Sequence, residues 1–198
     1  MRLAYQIFGA ITWPFISLVY PRRTSGRAHV PGPGAALICG NHSHALDPFF
    51  IAYSMGMGCH IHFMAKAEIF RVPLVGPVLK AIGVFPVDRK GGGAMAIKSA
   101  MKLLKAGEKV GMFPEGTRIH TEEAGEAKTG AVRLAARLGV PIVPVYMLRK
   151  KRVFRWNRVI IGAPYRVELD QKPTPEDVER AAEEMMEKIR ALGAGLSQ

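Results

Sequence analysis

Residues 35–48 read AALICGNHSHALDP, an apolar run that passes through a polar turn into an Asp-Pro pair. The apolar residues 35–39 follow a Pro-Gly-Pro-Gly turn at 31–34, and this pattern predicts a buried strand. Pro48 suits the first position of a helix, which we expect to continue through residues 49–57. The polar residues between strand and helix therefore fall at the carboxyl end of a strand, where open α/β sheets usually bind ligands.

The rest of the chain repeats this alternation of strand and helix. Further strands are predicted at 60–65, 83–87, 109–113, 141–147, 159–161 and 166–169, and further helices at 73–81, 94–105, 129–138 and 175–192. The pattern predicts a single α/β domain whose central sheet is mixed, largely parallel and flanked by helices. A length of 198 residues, without an internal repeat or a linker, also indicates one domain.

The composition excludes a disordered chain and points to an anionic partner. Hydrophobic residues make up 48% of the chain, more than a disordered protein contains. Lys and Arg number 28 against 16 Asp and Glu, a net charge of +12, which suits nucleic acid, an anionic membrane or a phosphorylated substrate. The two cysteines are too few for a disulfide framework and fit a reducing cytoplasm.

Residues 3–20 form an uncharged, mostly apolar segment, with Arg22, Arg23 and Arg27 just after it. As a helix it would measure about 27 Å, slightly short of a hydrocarbon core, and Pro14 lies inside it. An apolar stripe favours a helix lying in the membrane interface over one that crosses it, and its members are Leu3, Ile7, Ile11, Phe15 and Leu18. The alternative is an apolar helix docked on the protein's own core. We therefore divide the chain into a membrane-association segment, 1–24, and a domain, 25–198.

His42 and Asp47 lie five residues apart in the polar turn. A carboxylate beside an imidazole fixes the tautomer and stabilises the imidazolium, so the other ring nitrogen can take a proton from an attacking hydroxyl. The alternative is that Asp47 only caps the following helix and that His42 is an ordinary loop histidine.

Two more strand ends carry groups suited to an anionic substrate. Residues 113–118 read FPEGTR, in which Gly116 permits close backbone approach, and Thr117 and Arg118 can donate to phosphate oxygens. Residues 83–89 read GVFPVDR and end in Arg89. Two arginines at two strand ends, beside the His/Asp pair, predict a site for an anionic substrate.

These segments resemble the motifs of the glycerolipid acyltransferase family typified by 1-acylglycerol-3-phosphate acyltransferases. The first family motif, Asn-His followed by four residues and Asp, is matched by Asn41, His42 and Asp47. Residues 83–89, 113–118 and 140–145 match the second, third and fourth motifs in the same order. His44 departs from the pattern, because many members carry Ser there, and we give it no catalytic role. The resemblance would make residues 25–198 an acyltransferase domain.

The resemblance implies a reaction and a set of contacts. His42, oriented by Asp47, would act as general base on the free hydroxyl of a lysophospholipid, which attacks an acyl thioester directly. Contacts to the acceptor would come from Asn41, Lys66, Arg89, Glu115, Gly116, Thr117 and Arg118; Glu115 suits a hydroxyl contact or the orientation of an arginine better than a phosphate contact. No metal or other cofactor is implied besides the co-substrate, acyl-coenzyme A or acyl-acyl carrier protein.

The implied setting is the cytoplasmic face of the cell membrane, where the protein would be monotopic or peripheral. The product would be phosphatidic acid if the acceptor is lysophosphatidic acid. The sequence leaves open the donor, its chain length, the oxyanion-stabilising group and the oligomeric state. It also leaves open another lysophospholipid or glycerol 3-phosphate as the acceptor.

The same residues are open to three other interpretations. The pairs His42-x-His44 and His60-x-His62 suggest a metal-dependent hydrolase, but only His29 and His120 remain as further histidines. The basic stretch 149–158, which contains aromatic residues, suggests nucleic acid, yet the apolar segment 3–20 favours an anionic membrane instead. A non-catalytic lipid-binding module is disfavoured by the His42/Asp47 pair.

Overall fold

The computed structural model describes residues 1–87, 94–118 and 127–194. Seven strands lie in these ranges: β1 Arg22–Ser25, β2 Ala36–Gly40, β3 Ile61–Lys66, β4 Phe85–Val87, β5 Lys109–Met112, β6 Ile142–Met147 and β7 Asn157–Ile161. The same ranges contain six α-helices: α1 Arg2–Val19, α2 Asp47–Met55, α3 Val75–Ala81, α4 Ala94–Lys105, α5 Gly130–Leu138 and α6 Pro175–Gly193. The predicted helices are present, with ends shifted by a few residues.

The strands form one sheet in the order β1-β7-β6-β2-β5-β3-β4. Only the β6–β7 pairing is antiparallel among the described strands; the other neighbours run parallel. This confirms the predicted α/β fold with a mixed, largely parallel sheet.

Two strand predictions need correction. Strand β1 was missed because its sequence, Arg-Arg-Thr-Ser, lies at a sheet edge with side chains that are exposed or half-buried, so it contains no apolar run. Residues 166–169 do not form a strand; only Tyr165 pairs with the sheet, in a single bridge to Ile142. The ladder stops there because Val140, the next residue whose N–H would face this segment, donates instead to the Ala135 carbonyl over 3.2 Å.

Strand β2 lies in the middle of the sheet and is buried on both faces, as its continuous apolar run predicts. Ala36 and Ile38 join the core formed with α1, α2 and α3, while Leu37 and Cys39 join the core formed with α4, α5 and α6. The alternation of side chains along a strand produces these two cores, one on each face of the sheet.

Helix α1 packs on the domain through one face and exposes an apolar second face. Tyr5 and Gly9 are buried, and Phe8 and Ile16 pack on the core beside α2. The stripe that the sequence singled out faces outward, with 52–71% of each residue exposed: Leu3, Ile7, Ile11, Phe15 and Leu18. Among the residues that the structure describes, no helix is both long and apolar enough to cross a membrane. The division of the chain at residue 24 stays a prediction.

The five parallel strands β2 to β6 all end on the same side of the sheet, which is called its carboxyl-terminal edge. The polar turn after β2, Lys66 at the end of β3 and residues 113–118 after β5 therefore lie along this edge. Arg89 follows β4 by two residues but falls outside the described residues, so its predicted role stays untested.

Candidate active site

His42 and Asp47 are paired across the turn between β2 and α2. His42 Nδ1 lies 3.0 Å from Asp47 Oδ2, and the side chains are 12% and 0% exposed. Because an ionised carboxylate can only accept, Nδ1 carries the proton and the neutral ring has its lone pair on Nε2. No group of the described residues pairs with Nε2. The predicted pairing of His42 with Asp47 is therefore present, and the role of His42 as general base stays a prediction.

The Asp47 carboxylate is held by the turn itself and by a lysine from another loop. The backbone N–H groups of Ser43 and His44 each donate to Oδ2 over 2.7 Å, and Lys151 Nζ lies 2.8 Å from Oδ1. Burial alone would raise the pKa of Asp47, but the bond from His42 and the charge of Lys151 outweigh it and lower the pKa to about 2. Asp47 thus stays ionised at neutral pH and reaches back into the turn rather than capping α2.

Two phenylalanines from neighbouring strands support the imidazole ring. Phe113 stacks on His42 with ring centroids 4.1 Å apart and planes 16° apart. Phe63 lies 6.1 Å from Phe113, also stacked. The stacking fixes the plane of the ring and the bond to Asp47 fixes its rotation, so the direction of Nε2 is set.

Glu115 connects the turn after β5 to the turn after β2. Its side chain is fully buried; Oε2 accepts the His42 backbone N–H over 2.7 Å, and Oε1 accepts from Arg149 over 2.8 Å. Both oxygens therefore bind protein groups. Glu115 positions the backbone of His42 and holds an arginine, one of the two roles expected for it, and a contact to the acceptor stays a prediction.

Asn41 also bonds to the protein's own backbone. Its amide donates to the Met147 carbonyl and accepts the Met147 N–H, each over 2.8 Å. The side chain in this way extends the β2–β6 pairing by one step and anchors the start of the polar turn. Its predicted contact to the acceptor stays untested.

The basic stretch 149–158 is only partly a surface feature. The side chains of Arg149 and Lys151 are 6% and 2% exposed and pair with Glu115 and Asp47, which corrects their assignment to a membrane-facing stretch. These are the site residues that were not predicted from the sequence. No local pattern indicates it, because residues 149 and 150 lie in a bend after β6 and their direction depends on how this loop packs on the polar turn.

Gly116, Thr117 and Arg118 are exposed and follow directly after Glu115. The Gly116 N–H donates to the Phe113 carbonyl over 2.9 Å, closing a turn in which Gly116 has φ +69°, a conformation that favours glycine. Lys66 is exposed at the end of β3. The structure thus brings Arg118 and Lys66 to the same edge as His42, with their side chains available to a ligand.

An apolar pocket of about 220 Å³ begins beside the polar turn. Ala45 and Pro48 of the turn line it together with Phe63, which packs against the ring under His42. It extends between α1 and α3, where Phe8 and Leu79 form part of the wall. A pocket with this lining suits a hydrocarbon chain.

The pair His42-x-His44 does not form a metal site with the described residues. His42 Nδ1 bonds Asp47, and His44 Nδ1 accepts the Leu46 N–H over 3.2 Å. In the described ranges, neither histidine belongs to a group of three metal-ligating side chains.

The fold and the paired histidine and aspartate are those expected of an acyl-transfer enzyme, and comparisons with known proteins agree. Residues 22–148 match the family model described as Acyltransferase. The chain is 34% identical over 181 residues to 1-acyl-sn-glycerol-3-phosphate acyltransferase of Bacillus subtilis, with 87% of this chain and 88% of that protein covered. The chain belongs to the acyltransferase family, which confirms the resemblance.

Two further relatives extend the comparison. The 1-acyl-sn-glycerol-3-phosphate acyltransferase of Borreliella burgdorferi is 32% identical over 135 residues, covering 67% of this chain and about half (53%) of that protein. The crystal structure of the 1-acyl-sn-glycerophosphate (LPA) acyltransferase PlsC from Thermotoga maritima has a TM-score of 0.71 at 22% identity, covering all of this chain and 81% of that one. The structural likeness supports the fold.

Proposed function

We propose that this protein transfers a fatty acyl group from a thioester donor to the free hydroxyl of lysophosphatidic acid, giving phosphatidic acid. The observation that carries the proposal is the 3.0 Å pairing of His42 Nδ1 with Asp47, which leaves Nε2 as a base. The names of the Bacillus and Borreliella relatives support this acceptor. The test is an acyl-transfer assay with purified protein and a panel of acceptors.

In the proposed mechanism His42 Nε2 takes the proton of the acceptor hydroxyl as its oxygen attacks the thioester carbonyl carbon. The C–S bond then breaks, and the thiolate leaves with the proton that the imidazolium returns. No acyl-enzyme is formed. Asp47 stabilises the imidazolium between the two proton transfers, and positioned acid–base groups of this kind typically contribute about 10²- to 10⁴-fold.

The phosphate of the acceptor and the acyl chain of the donor need different surroundings, one charged and one apolar. The acceptor phosphate would bind the exposed cations at the sheet edge, Arg118 and Lys66, together with Arg89. The donor's acyl chain would enter the apolar pocket, because its lining begins at Ala45 and Pro48, next to the base. This arrangement holds the hydroxyl and the carbonyl carbon together at His42.

Replacing Arg118 with alanine is expected to raise the KM for lysophosphatidic acid roughly 10- to 150-fold, because a charge-assisted contact worth about 1.5–3 kcal/mol is lost. Initial rates against each substrate measure the change. The control is Arg137→Ala, which removes a charge that is also exposed, in the last turn of α5. A rise in the donor KM alone would assign Arg118 to the thioester instead.

We further propose that the protein lies on an anionic membrane through the outer face of α1. Val153, Phe154 and Trp156 of the loop between β6 and β7 are also exposed, and the Phe154 N–H donates to the Val19 carbonyl at the end of α1 over 2.7 Å. This loop therefore lies beside the end of α1. Arg23 stacks over Trp156 at 4.9 Å, which adds positive charge beside this surface. The cytoplasmic face is proposed because the polar thioester donor arrives from the cytoplasm.

A triple variant in which Ile7, Ile11 and Phe15 are each replaced by glutamine should partition to anionic vesicles at least about 100-fold more weakly. Burying each such side chain in the membrane contributes about 1.5–3 kcal/mol. Substitution is preferable to deleting α1, since Tyr5 and Gly9 belong to the core. Vesicle co-sedimentation at low and high salt measures the change. The control Met95→Gln alters an exposed apolar residue on α4. Equal sedimentation of variant and wild type would contradict this surface.

A further inference from the structure

A cluster of titratable side chains lies where the parallel strands begin, at the opposite end of these strands from His42. His60 directly precedes β3, His62 is its second residue, and Glu108 directly precedes β5. Strands β3 and β5 are parallel neighbours, so the starts of both strands bring these three side chains together. Their ligand atoms all lie within 4.8 Å of one another.

Each imidazole has one nitrogen fixed as a donor to a backbone carbonyl. His60 Nε2 lies 3.0 Å from the Ile82 oxygen, and His62 Nδ1 lies 2.7 Å from the Gly83 oxygen. Since a carbonyl only accepts, these nitrogens carry the protons and the opposite nitrogens hold lone pairs in the neutral rings. Gly83 suits this contact, because a β-carbon there would lie 2.6 Å from His62 Nδ1.

The two lone-pair nitrogens are buried and lack a hydrogen bond. His60 Nδ1 and His62 Nε2 have no hydrogen-bond partner among the described residues, and the two residues are 7% and 1% exposed. Buried polar atoms without a partner are uncommon and costly. An ion pair between a protonated His62 and Glu108 would satisfy only one of the two nitrogens, whereas a cation would satisfy both.

The spacing of His62 and Glu108 suits two ligands of one metal ion. His62 Nε2 and Glu108 Oε2 are 3.7 Å apart, too far for a hydrogen bond. Ligands about 2.1 Å from a tetrahedral zinc ion are about 3.4 Å from each other. Glu108 is 26% exposed and can adjust; Arg2 donates to both of its oxygens, over 3.2 Å to Oε1 and 3.5 Å to Oε2, and a bound cation would take over Oε2.

We propose that His60, His62 and Glu108 bind a divalent transition-metal cation of the zinc type. Two imidazole nitrogens and one carboxylate oxygen form a donor set that suits such ions, with water in the fourth position. The bonds to the Ile82 and Gly83 carbonyls orient the imidazoles, as outer contacts of metal-bound histidines commonly do. The ion would tie β3, β5 and the turn before β4 together. Its role is structural, because acyl transfer takes place at the other edge.

Titration of the chelator-stripped full-length protein with Zn²⁺, followed by calorimetry and thermal unfolding, tests the site. We expect one Zn²⁺ per chain and, at 100 times the dissociation constant, a rise in Tm of roughly 5–11 °C. Cobalt(II) should give the visible d–d bands of a tetrahedral site. Stripping the metal should lower Tm and leave kcat for acyl transfer unchanged.

Variants at two of the three residues test whether Zn²⁺ binds at this cluster. Glu108→Gln alters a partly exposed residue and should stay folded while weakening Zn²⁺ binding at least about 100-fold, and His60→Ala should do the same. The matched control is His44→Gln, in the other His-x-His pair, which should bind Zn²⁺ as wild type does. Absence of Zn²⁺ binding in the wild type, or binding that survives Glu108→Gln and His60→Ala, would overturn the proposal.

Discussion

Replacing His42 with alanine is expected to lower kcat for acyl transfer about 10²- to 10⁴-fold, because the group that accepts the hydroxyl proton is removed. The protein should stay folded, since His42 lies in a turn and the bonds from Ser43 and His44 to Asp47 come from the backbone. Steady-state rates, with circular dichroism and thermal unfolding on the same samples, measure both effects.

His44→Ala provides the matched control for this variant. His44 lies two residues further along the same turn, and its ring Nδ1 accepts the backbone N–H of Leu46 over 3.2 Å. The substitution leaves the His42 ring and its bond to Asp47 in place, so the loss of activity should be smaller than for His42→Ala. A folded His42→Ala protein with near-normal kcat would contradict the assignment of the base.

Replacing Asp47 with asparagine is expected to lower kcat by as much as about 10⁴-fold, the loss found when the carboxylate of a comparable His–Asp pair is neutralised. The amide no longer fixes the His42 tautomer or stabilises the imidazolium. The change also leaves Lys151 buried without its counter-charge, and breaking a buried pair in this way costs about 3–5 kcal/mol of stability.

A double variant separates these two effects. Asp47→Asn with Lys151→Met removes both charges, so it should recover much of the lost stability without recovering activity. Recovery of activity along with stability would mean that Asp47 only maintains the fold. The double variant is therefore the sharper test of the orienting role.

The pH dependence of stability gives an independent check on Asp47. Its pKa in the folded protein, about 2, is below the ordinary value of 3.8, so its ionised form stabilises the fold above pH about 4. That contribution is lost as the pH falls from about 4 to about 2. The stability difference between wild type and Asp47→Asn should shrink over that window, and urea titrations across it measure this.

The sequence predicted the His42/Asp47 pair because the pairing is local. Both residues lie in one short turn between a strand and a helix, and the apolar run before the turn identifies the strand. Glu115 was placed at the same edge because β2 and β5 both end there, but its bonds were not predictable. They depend on which strands are neighbours, and His42 is 73 residues away in the chain.

Side-chain directions that depend on tertiary packing could not be predicted. Arg149 and Lys151 read as surface charges, and they turn inward because the loop between β6 and β7 passes over the polar turn. For helix α1 the sequence did identify the apolar stripe that faces outward, but it did not show that Tyr5 and Gly9 would be buried against the domain. Likewise Glu108 joins His60 and His62 only because β3 and β5 are adjacent.

The most direct test of the proposed function is the formation of phosphatidic acid. Wild type and His42→Ala are incubated in anionic vesicles with acyl-coenzyme A or acyl-acyl carrier protein and with lysophosphatidic acid, another lysophospholipid or glycerol 3-phosphate. We predict that the wild type forms phosphatidic acid from lysophosphatidic acid faster than it acylates the other acceptors, and that His42→Ala does not. Thioester hydrolysis without transfer would contradict acyl transfer, and equal product from both proteins would contradict the role of His42 as its base.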